Sequence, residues 1–435
     1  MTGLPPRLIG DAYRNGIAWE TLEALVDAAP RMAGHEGEAD AMNVVADAFE
    51  DAGLREVGTE SFEIPAWFRG SAELALVGTD MAFSDPHQLI GLPGTPAGEV
   101  EADLVDVGYG TPEEFDDADV AGNVVIVESG TPEGYDRWFH RREKYDAAVE
   151  RGAVGFLFRS HVPGCLPPTG DIGDEESEGE IPGVGVSREL GSRLVRHCRD
   201  GDVETRLSVD CDTERTDSGN VSGRLGPETE RELLVTAHHD AHDIAEGAKD
   251  NGAGCALVAE IARLLADIED ELETGVRFVT FGAEEIGLRG SRYAVAQRDL
   301  DGIEAVLNLD GIGDSRDLAV DTHGFPEIGA AFGAVSEDHG VPIEVREQVN
   351  THSDHWPFAR EGVPAAMAYS VGGSDERGWG HTHADTLDKL DQRDFRELAV
   401  VLAAAVLTLA GREVAPEHVD SETVEERARE EGYDV

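Results

Sequence analysis

A chain of 435 residues is too long for one ordinary core and long enough for two domains that each bury their own. With 90 acidic against 35 basic residues, its formal charge of −55 excludes nucleic acid and anionic membrane surfaces as partners. The 40% of hydrophobic residues excludes a disordered chain, and no apolar run reaches the roughly 18 residues of a spanning helix.

Met1 to Gly10 carries neither an apolar stretch behind basic residues nor a twin arginine, so a cytoplasmic chain is expected. Two helices are predicted next, over 17–29 up to Pro30 and over 36–52 up to Gly53. In the second, Ala41, Val44, Val45, Ala48 and Phe49 recur at helical spacing. A strand-rich stretch covers 62–77. From about Pro93 to Asp212 short strands such as 123–128 alternate with Gly- and Pro-rich turns and one helix around 141–151. The acidic run Asp171 to Glu180 reads as a solvated loop. Cys165, Cys198, Cys211 and Cys255 lack zinc-ligand spacing and are expected as reduced structural thiols.

Beyond Glu232 strands and helices alternate: strand 233–237, helix 256–268, strand 276–281 and strand 305–309. Leu257, Ile261, Leu264 and Ile268 fall on one helical face. The expected fold class is α/β, a mostly parallel mixed sheet covered by helices on both faces, with a smaller inserted β-rich domain. The expected division is 1–92 and 215–411 for the main domain, 93–214 for the insert, and 412–435 for an acidic tail to which no role is assigned.

The chemistry-bearing residues lie at strand ends. His238 and Asp240, two apart, share a face where open α/β sheets place their ligands. The loop Gly247-Ala248-Lys249-Asp250-Asn251-Gly252 can bend an aspartate back towards that histidine. Glu284 and Glu285 end the third strand and project differently, so one can bind a cation while the other stays free as a base. Asp310 ends the fourth strand, and His381-Thr382-His383 returns a histidine after a long interval. Two histidines and three acids at one sheet edge suit mixed nitrogen and oxygen coordination of paired divalent ions. No Gly-x-Ser-x-Gly and no cysteine nucleophile motif is present.

In Ala237-His238-His239-Asp240, Gly247-Ala248-Lys249-Asp250-Asn251, Phe281-Gly282-Ala283-Glu284-Glu285, Asn308-Leu309-Asp310 and His381-Thr382-x-x-Asp385-Thr386 the chain resembles metallopeptidase family twenty-eight. The helices, Trp67-Phe68-Arg69-Gly70 and the middle insert look most like its carboxypeptidase Q branch. The resemblance implies a di-zinc aminopeptidase fold with an inserted protease-associated domain, seen in 119–127 and 151–156, acting on short peptides and compatible with a homodimer. It implies two divalent ions per chain, zinc first and cobalt or manganese as alternatives. His238 and Asp310 would hold one, Glu285 and His381 the other, with Asp250 bridging, Glu284 as general base and Asp240 orienting His238. His383 is a rival to His381, and His239 and His242 complicate the assignment. Gly380 stands where many relatives carry a tyrosine, so Tyr369, His355 or a main-chain amide is left to serve the oxyanion.

Three other readings compete. A carboxypeptidase or dipeptidase needs a cation for the substrate carboxylate, for which Arg360 and Arg377 are candidates. A non-catalytic receptor or scaffold would have lost its ligands, whereas here each position is filled. Another two-metal amidohydrolase family is the third.

The charge, with lysine only at 144, 249 and 389, implies a halophilic, archaeon-like source with a salt-filled cytoplasm. Each acid reaches about 10 Å at about 0.1 M salt and about 3 Å near 1 M, so repulsion between acids fades at high salt. Thermal unfolding with excess zinc is expected to shift strongly upwards from about 0.1 M to about 3 M potassium chloride. Equal midpoints at the two salts would refute this.

Overall fold

The computed structural model describes residues 3–135, 137–173, 177–201, 203–372, 378–411, 416–433 and 435. Its organising element is one sheet of 14 strands. The strand Glu232–His238 lies at the centre of the main domain, parallel to Gly275–Phe281 on one side and to Ile303–Leu309 on the other. Ile303–Leu309 is parallel in turn to Ala365–Ser370. Consecutive residues Leu233, Leu234 and Val235 are all buried, as are Phe278 and Val279. A strand whose neighbouring side chains are all buried has both faces covered, which is why these runs read as continuously apolar.

Helix Ala253–Ala266 supplies one cover. Its expected stripe is buried: Leu257, Ile261 and Leu264 are fully enclosed and Ile268 is 4% exposed. Helices Ala18–Asp27, Glu36–Asp51 and Gln392–Leu409 join it in the main core. Helix Pro6–Asn15, not foreseen, adds Leu8 and Ala12 to that core.

Two strands of 22 residues, Arg55–Leu76 and Glu204–Leu225, connect main domain and insert. They pair antiparallel from Arg55↔Arg224 to Leu76↔Thr205. One end of Glu204–Leu225 pairs with Gly275–Phe281 and the other with Gly98–Asp106. The insert continues with parallel strands Val124–Glu128, Gly155–Arg159 and Gly183–Val186. Its core draws in Leu74, Leu76, Phe83 and Leu89, so its packing reaches upstream of 93.

Two expectations change. Asp171 is buried, not solvated, and faces Arg142 at 3.8 Å, whereas Glu178 and Glu180 are exposed as expected. Residues 174–176 of that run lie outside the described residues. The tail contains helix Ser421–Glu430, docked on the main core through Val424 and Ala428. Those two residues sit four apart, a one-turn apolar stripe hidden among charges. Arg427 donates to His323 O at 2.9 Å, and Val349 N donates to the Glu431 carboxylate at 3.0 Å. No described helix is long and apolar enough to cross a membrane.

Val424→Asp places a carboxylate in that contact. It is expected to detach the helix, lower the unfolding midpoint and expose the segment to limited proteolysis. A protease-resistant segment in the variant would overturn the docking described here.

Candidate metal centre

The carboxyl ends of three parallel strands meet at one place. His238 is the last residue of Glu232–His238, and Asp310 follows Ile303–Leu309. Glu284 and Glu285 follow Gly275–Phe281 after a turn through Gly282 and Ala283. Gly282 is required by close approach: a Cβ there would meet Gly219 O at 2.7 Å and Glu38 Oε1 at 2.9 Å. Ala283 takes a left-handed φ of 54°. The buried Glu38 carboxylate holds this turn, accepting from Ala283 N at 3.0 Å, Ser218 Oγ at 2.8 Å and Gly34 N at 2.6 Å. Burial, with the charge of Asp240, pushes Glu38 up to about 8.

Asp240 acts on two elements at once. Its oxygens accept from Glu284 N at 3.0 Å and Glu285 N at 3.1 Å, and Oδ1 lies 3.5 Å from His238 Nδ1. The turn carrying both glutamates is thereby locked to the strand carrying His238. Asp385 does the same for the loop that carries Asp250, accepting from Lys249 N at 2.8 Å and Asp250 N at 3.1 Å. Burial and the Asp250 charge raise Asp385 to about 7.

Two groups of candidate ligand atoms result. In the first, His238 Nε2 lies 3.3 Å from Asp250 Oδ1 and 3.5 Å from Asp310 Oδ1, yet makes no hydrogen bond. In the second, His381 Nε2 and His242 Nε2 lie 3.2 Å and 2.9 Å from Glu285 Oε2. Within each group the ligand atoms lie within 4.8 Å of one another. Asp250 joins the groups, because its Oδ2 lies 3.2 Å from His381 Nε2. Glu284 Oε2 stands apart at 3.9 Å from His238 Nε2.

Burial acts to raise Asp250, but the imidazoles of His238 and His381 hold it well below the ordinary range. Burial likewise opposes ionisation of Glu285, which His242 and His381 overcome. Burial pushes Glu284 well above the ordinary range, and Glu285, Asp310 and Asp354 add to the effect against His238. So many carboxylates in one buried place call for compensating positive charge. An imidazole nitrogen without a hydrogen bond, facing carboxylate oxygens, fits divalent metal with mixed donors.

The structure thus brings together His238, Asp240, Asp250, Glu284, Glu285, Asp310 and His381. It leaves out His383, whose nitrogens both face backbone carbonyls, Ile244 O and Pro86 O at 3.0 Å each. His239 turns to Thr280 Oγ1. His355 contacts Asn350 O at 2.9 Å and packs on His323, away from an oxyanion. Tyr369 lines the site, with its hydroxyl between Arg346 and Asp321. Arg360 also lines it but pairs with Glu425 at 3.4 Å, and Arg377 lies outside the described residues.

Sequence reasoning missed several supports. The buried Arg31 guanidinium donates to the carbonyls of His239, Glu246 and Gly247, securing the loop that presents Asp250. Ser353 Oγ donates to Asp310 Oδ2 at 2.5 Å and accepts from Asn308 Nδ2 at 2.8 Å. No motif surrounds Arg31, Glu38 or Ser353, and only the fold brings them to the site. His242 had been noticed without a place; its ring meets that of His381 with centroids 4.4 Å apart.

The centre opens into a cavity of about 840 Å³. Main domain, insert and C-terminal segment all line it, through Glu284, Arg142 and Tyr433 among others.

Residues 220–406 match the model of Peptidase family M28 and residues 100–194 that of the PA domain. The chain is similar to aminopeptidase YwaD of Bacillus subtilis, 26% identical over 92% of this chain and 86% of that protein. It is also 26% identical to leucine aminopeptidase 2 of Trichophyton rubrum, over 81% and 71% of the two chains. Among solved structures, the Peptidase M28 precursor of Shewanella amazonensis superimposes with a TM-score of 0.79 at 25% identity, over 95% and 97% of the chains. A zinc aminopeptidase of Bacillus subtilis does so with a TM-score of 0.70 at 25% identity, over 92% and 95%.

Proposed function

We propose that this chain, whose residues 220–406 belong to peptidase family M28, is a zinc aminopeptidase that uses two ions and hydrolyses the first peptide bond of short peptides. The observation that carries the two-ion reading is the position of Asp250, one oxygen towards His238 and the other towards His381. His238 and Asp310 would hold one ion, and Glu285 and His381 the other with His242 beside them, Asp250 being placed to serve both. When bound, the ions supply Lewis acidity, polarising the scissile carbonyl and making water a nucleophile near neutral pH.

The chain's own residues supply the proton path. Glu284 carries no ligand role and borders the cavity, so its carboxylate takes a proton from the attacking water. As the carbon–nitrogen bond breaks, the same carboxyl returns that proton to the leaving amine. Asp240 keeps this base and the ligand Glu285 in register through their main-chain amides. The carbonyl of Thr169 faces His381 Nδ1 at 3.3 Å, leaving Nε2 for metal. The similar aminopeptidases favour this reading over a carboxypeptidase, and the filled ligand positions favour it over a scaffold. Operation in high salt follows from the acidic composition and is part of the proposal.

Glu284→Gln is expected to keep both ions and the fold while losing at least about a hundredfold in turnover. More than a tenth of the wild-type rate at equal metal content would show that Glu284 is not the base.

Asp250→Ala is expected to lose both ions, because one carboxylate shields two cations from each other, whereas His381→Ala mainly weakens one. Atomic emission at matched protein concentration reads the stoichiometry. Two ions per chain in Asp250→Ala would remove the bridging role.

A further inference from the structure

His242 stands outside the set of His238, Asp250, Glu285, Asp310 and His381 to which the two ions are assigned above. It is 5% exposed, and among the described residues neither of its ring nitrogens makes a hydrogen bond. A buried polar atom without a partner is destabilising, so a ring held in that state points to a partner of another kind. Its Nε2 lies 2.9 Å from Glu285 Oε2. The approach is as short as a hydrogen bond but lacks the direction of one, which is how two donors turned towards one cation stand.

The neighbouring distances have the same character. His381 Nε2 is 3.2 Å from that Glu285 oxygen and 3.2 Å from Asp250 Oδ2. Donors about 2.0–2.1 Å from one zinc ion are about 2.9 Å apart at a right angle and about 3.4 Å apart at the tetrahedral angle. The 2.9 Å and both 3.2 Å separations fall within that range. The rings of His242 and His381 meet at 79°, so they converge edge to face and do not stack.

A second observation is independent of these distances. The main chain holds His242 from both sides: Ala241 N donates to Arg31 O at 3.0 Å, and Asp243 accepts from Arg69 Nε at 2.8 Å. Anchored neighbours fix the ring's place before any ion arrives, as a ligand requires.

We propose that His242 is a sixth protein ligand of the centre, holding the Glu285 ion through Nε2. This rests on the two-ion reading above. The two ions are then unequal. One has two imidazoles, His242 and His381, with Glu285 and an oxygen of Asp250; the other has one imidazole, His238, with Asp310 and the second Asp250 oxygen. The site richer in imidazole is the tighter one for zinc, and the ion at His238 is the first to leave.

The test uses the full chain. In its cobalt-loaded form each coordinated imidazole contributes one strongly shifted, solvent-exchangeable ring N–H signal to the proton NMR spectrum. Three such signals are expected from the wild type, for His238, His242 and His381, and two from His242→Phe, which keeps a planar ring of similar bulk. In the zinc-loaded form, titration with a competing chelator is expected to remove the ions in two steps. His242→Phe is expected to weaken the tighter step by at least about tenfold and to leave the other step in place. Retention of the ion at His238 shows that the variant is folded, and His242→Gln takes its place if it is not. Two shifted signals from the wild type, or zinc release that neither variant alters, overturn the proposal and leave the two-ion reading standing. Fewer than two ions per wild-type chain refute that reading, and the proposal with it.

Discussion

Six carboxylates, Asp240, Asp250, Glu284, Glu285, Asp310 and Asp354, crowd against the imidazoles of His238, His242 and His381 at the end of one sheet, and the surrounding structure answers to that crowding. Like charges at this spacing repel unless something positive or something rigid intervenes. Rigidity comes from main-chain amides and buried side chains. Asp240 grips two amides, Asp385 grips two more, and Glu38 holds the turn between them. Arg31 donates to the carbonyls of Leu25, His239, Glu246 and Gly247, and among the described residues no ion pair to these acids is seen. The site is therefore pre-organised by hydrogen bonds whose partners are scattered over the first 40 residues and the last third of the chain.

The insert takes part in this organisation. Thr169 exchanges contacts with His381 through both main-chain groups, accepting near Nδ1 and donating to the carbonyl at 2.9 Å. Arg69 pairs with Asp243 at 2.8 Å and also donates to Gly91 O and, at 3.4 Å, to Thr169 Oγ1. A candidate ligand histidine more than 200 residues away in sequence is thus steadied by the insert. The His140 and His352 rings, stacked with centroids 4.3 Å apart, make a further contact across the same boundary.

Strand ends were readable because period and punctuation agree there. Largely apolar runs marked 233–237, 276–281 and 305–309; His238 and Asp310 stop the first and third and reach the centre directly, and Glu284 and Glu285 do so after the turn through Gly282 and Ala283. Choosing His381 over His383 was beyond pattern, since both follow the same loop. The distinction lies in the left-handed φ of 56° at His381 and in the carbonyls that occupy His383. Glu38 was hidden for a different reason: a glutamate in the first turn of a helix reads as solvated, and only the arrival of Ala283 and Ser218 gives it partners. The C-terminal helix carries two apolar residues in a field of charge, too few for a periodic signal, yet enough once a core is there to receive them.

The long ladder between Arg55–Leu76 and Glu204–Leu225 has a mechanical consequence. An insert tethered by loops swings on a hinge, whereas this one is continuous with the main sheet through hydrogen-bonded ribbon. Displacing it as a rigid body would shear many main-chain bonds together, so its easy deformation is torsion, distributed along the strands. The pairing register shifts at two places, between Arg55 and Gly58 at one end and between Arg69 and Ala72 within the ladder. Arg69 stands at the second of these and also grips Asp243, beside His242. A twist of the ribbon at that irregularity therefore bears, through the Arg69–Asp243 pair, on the segment that carries His242.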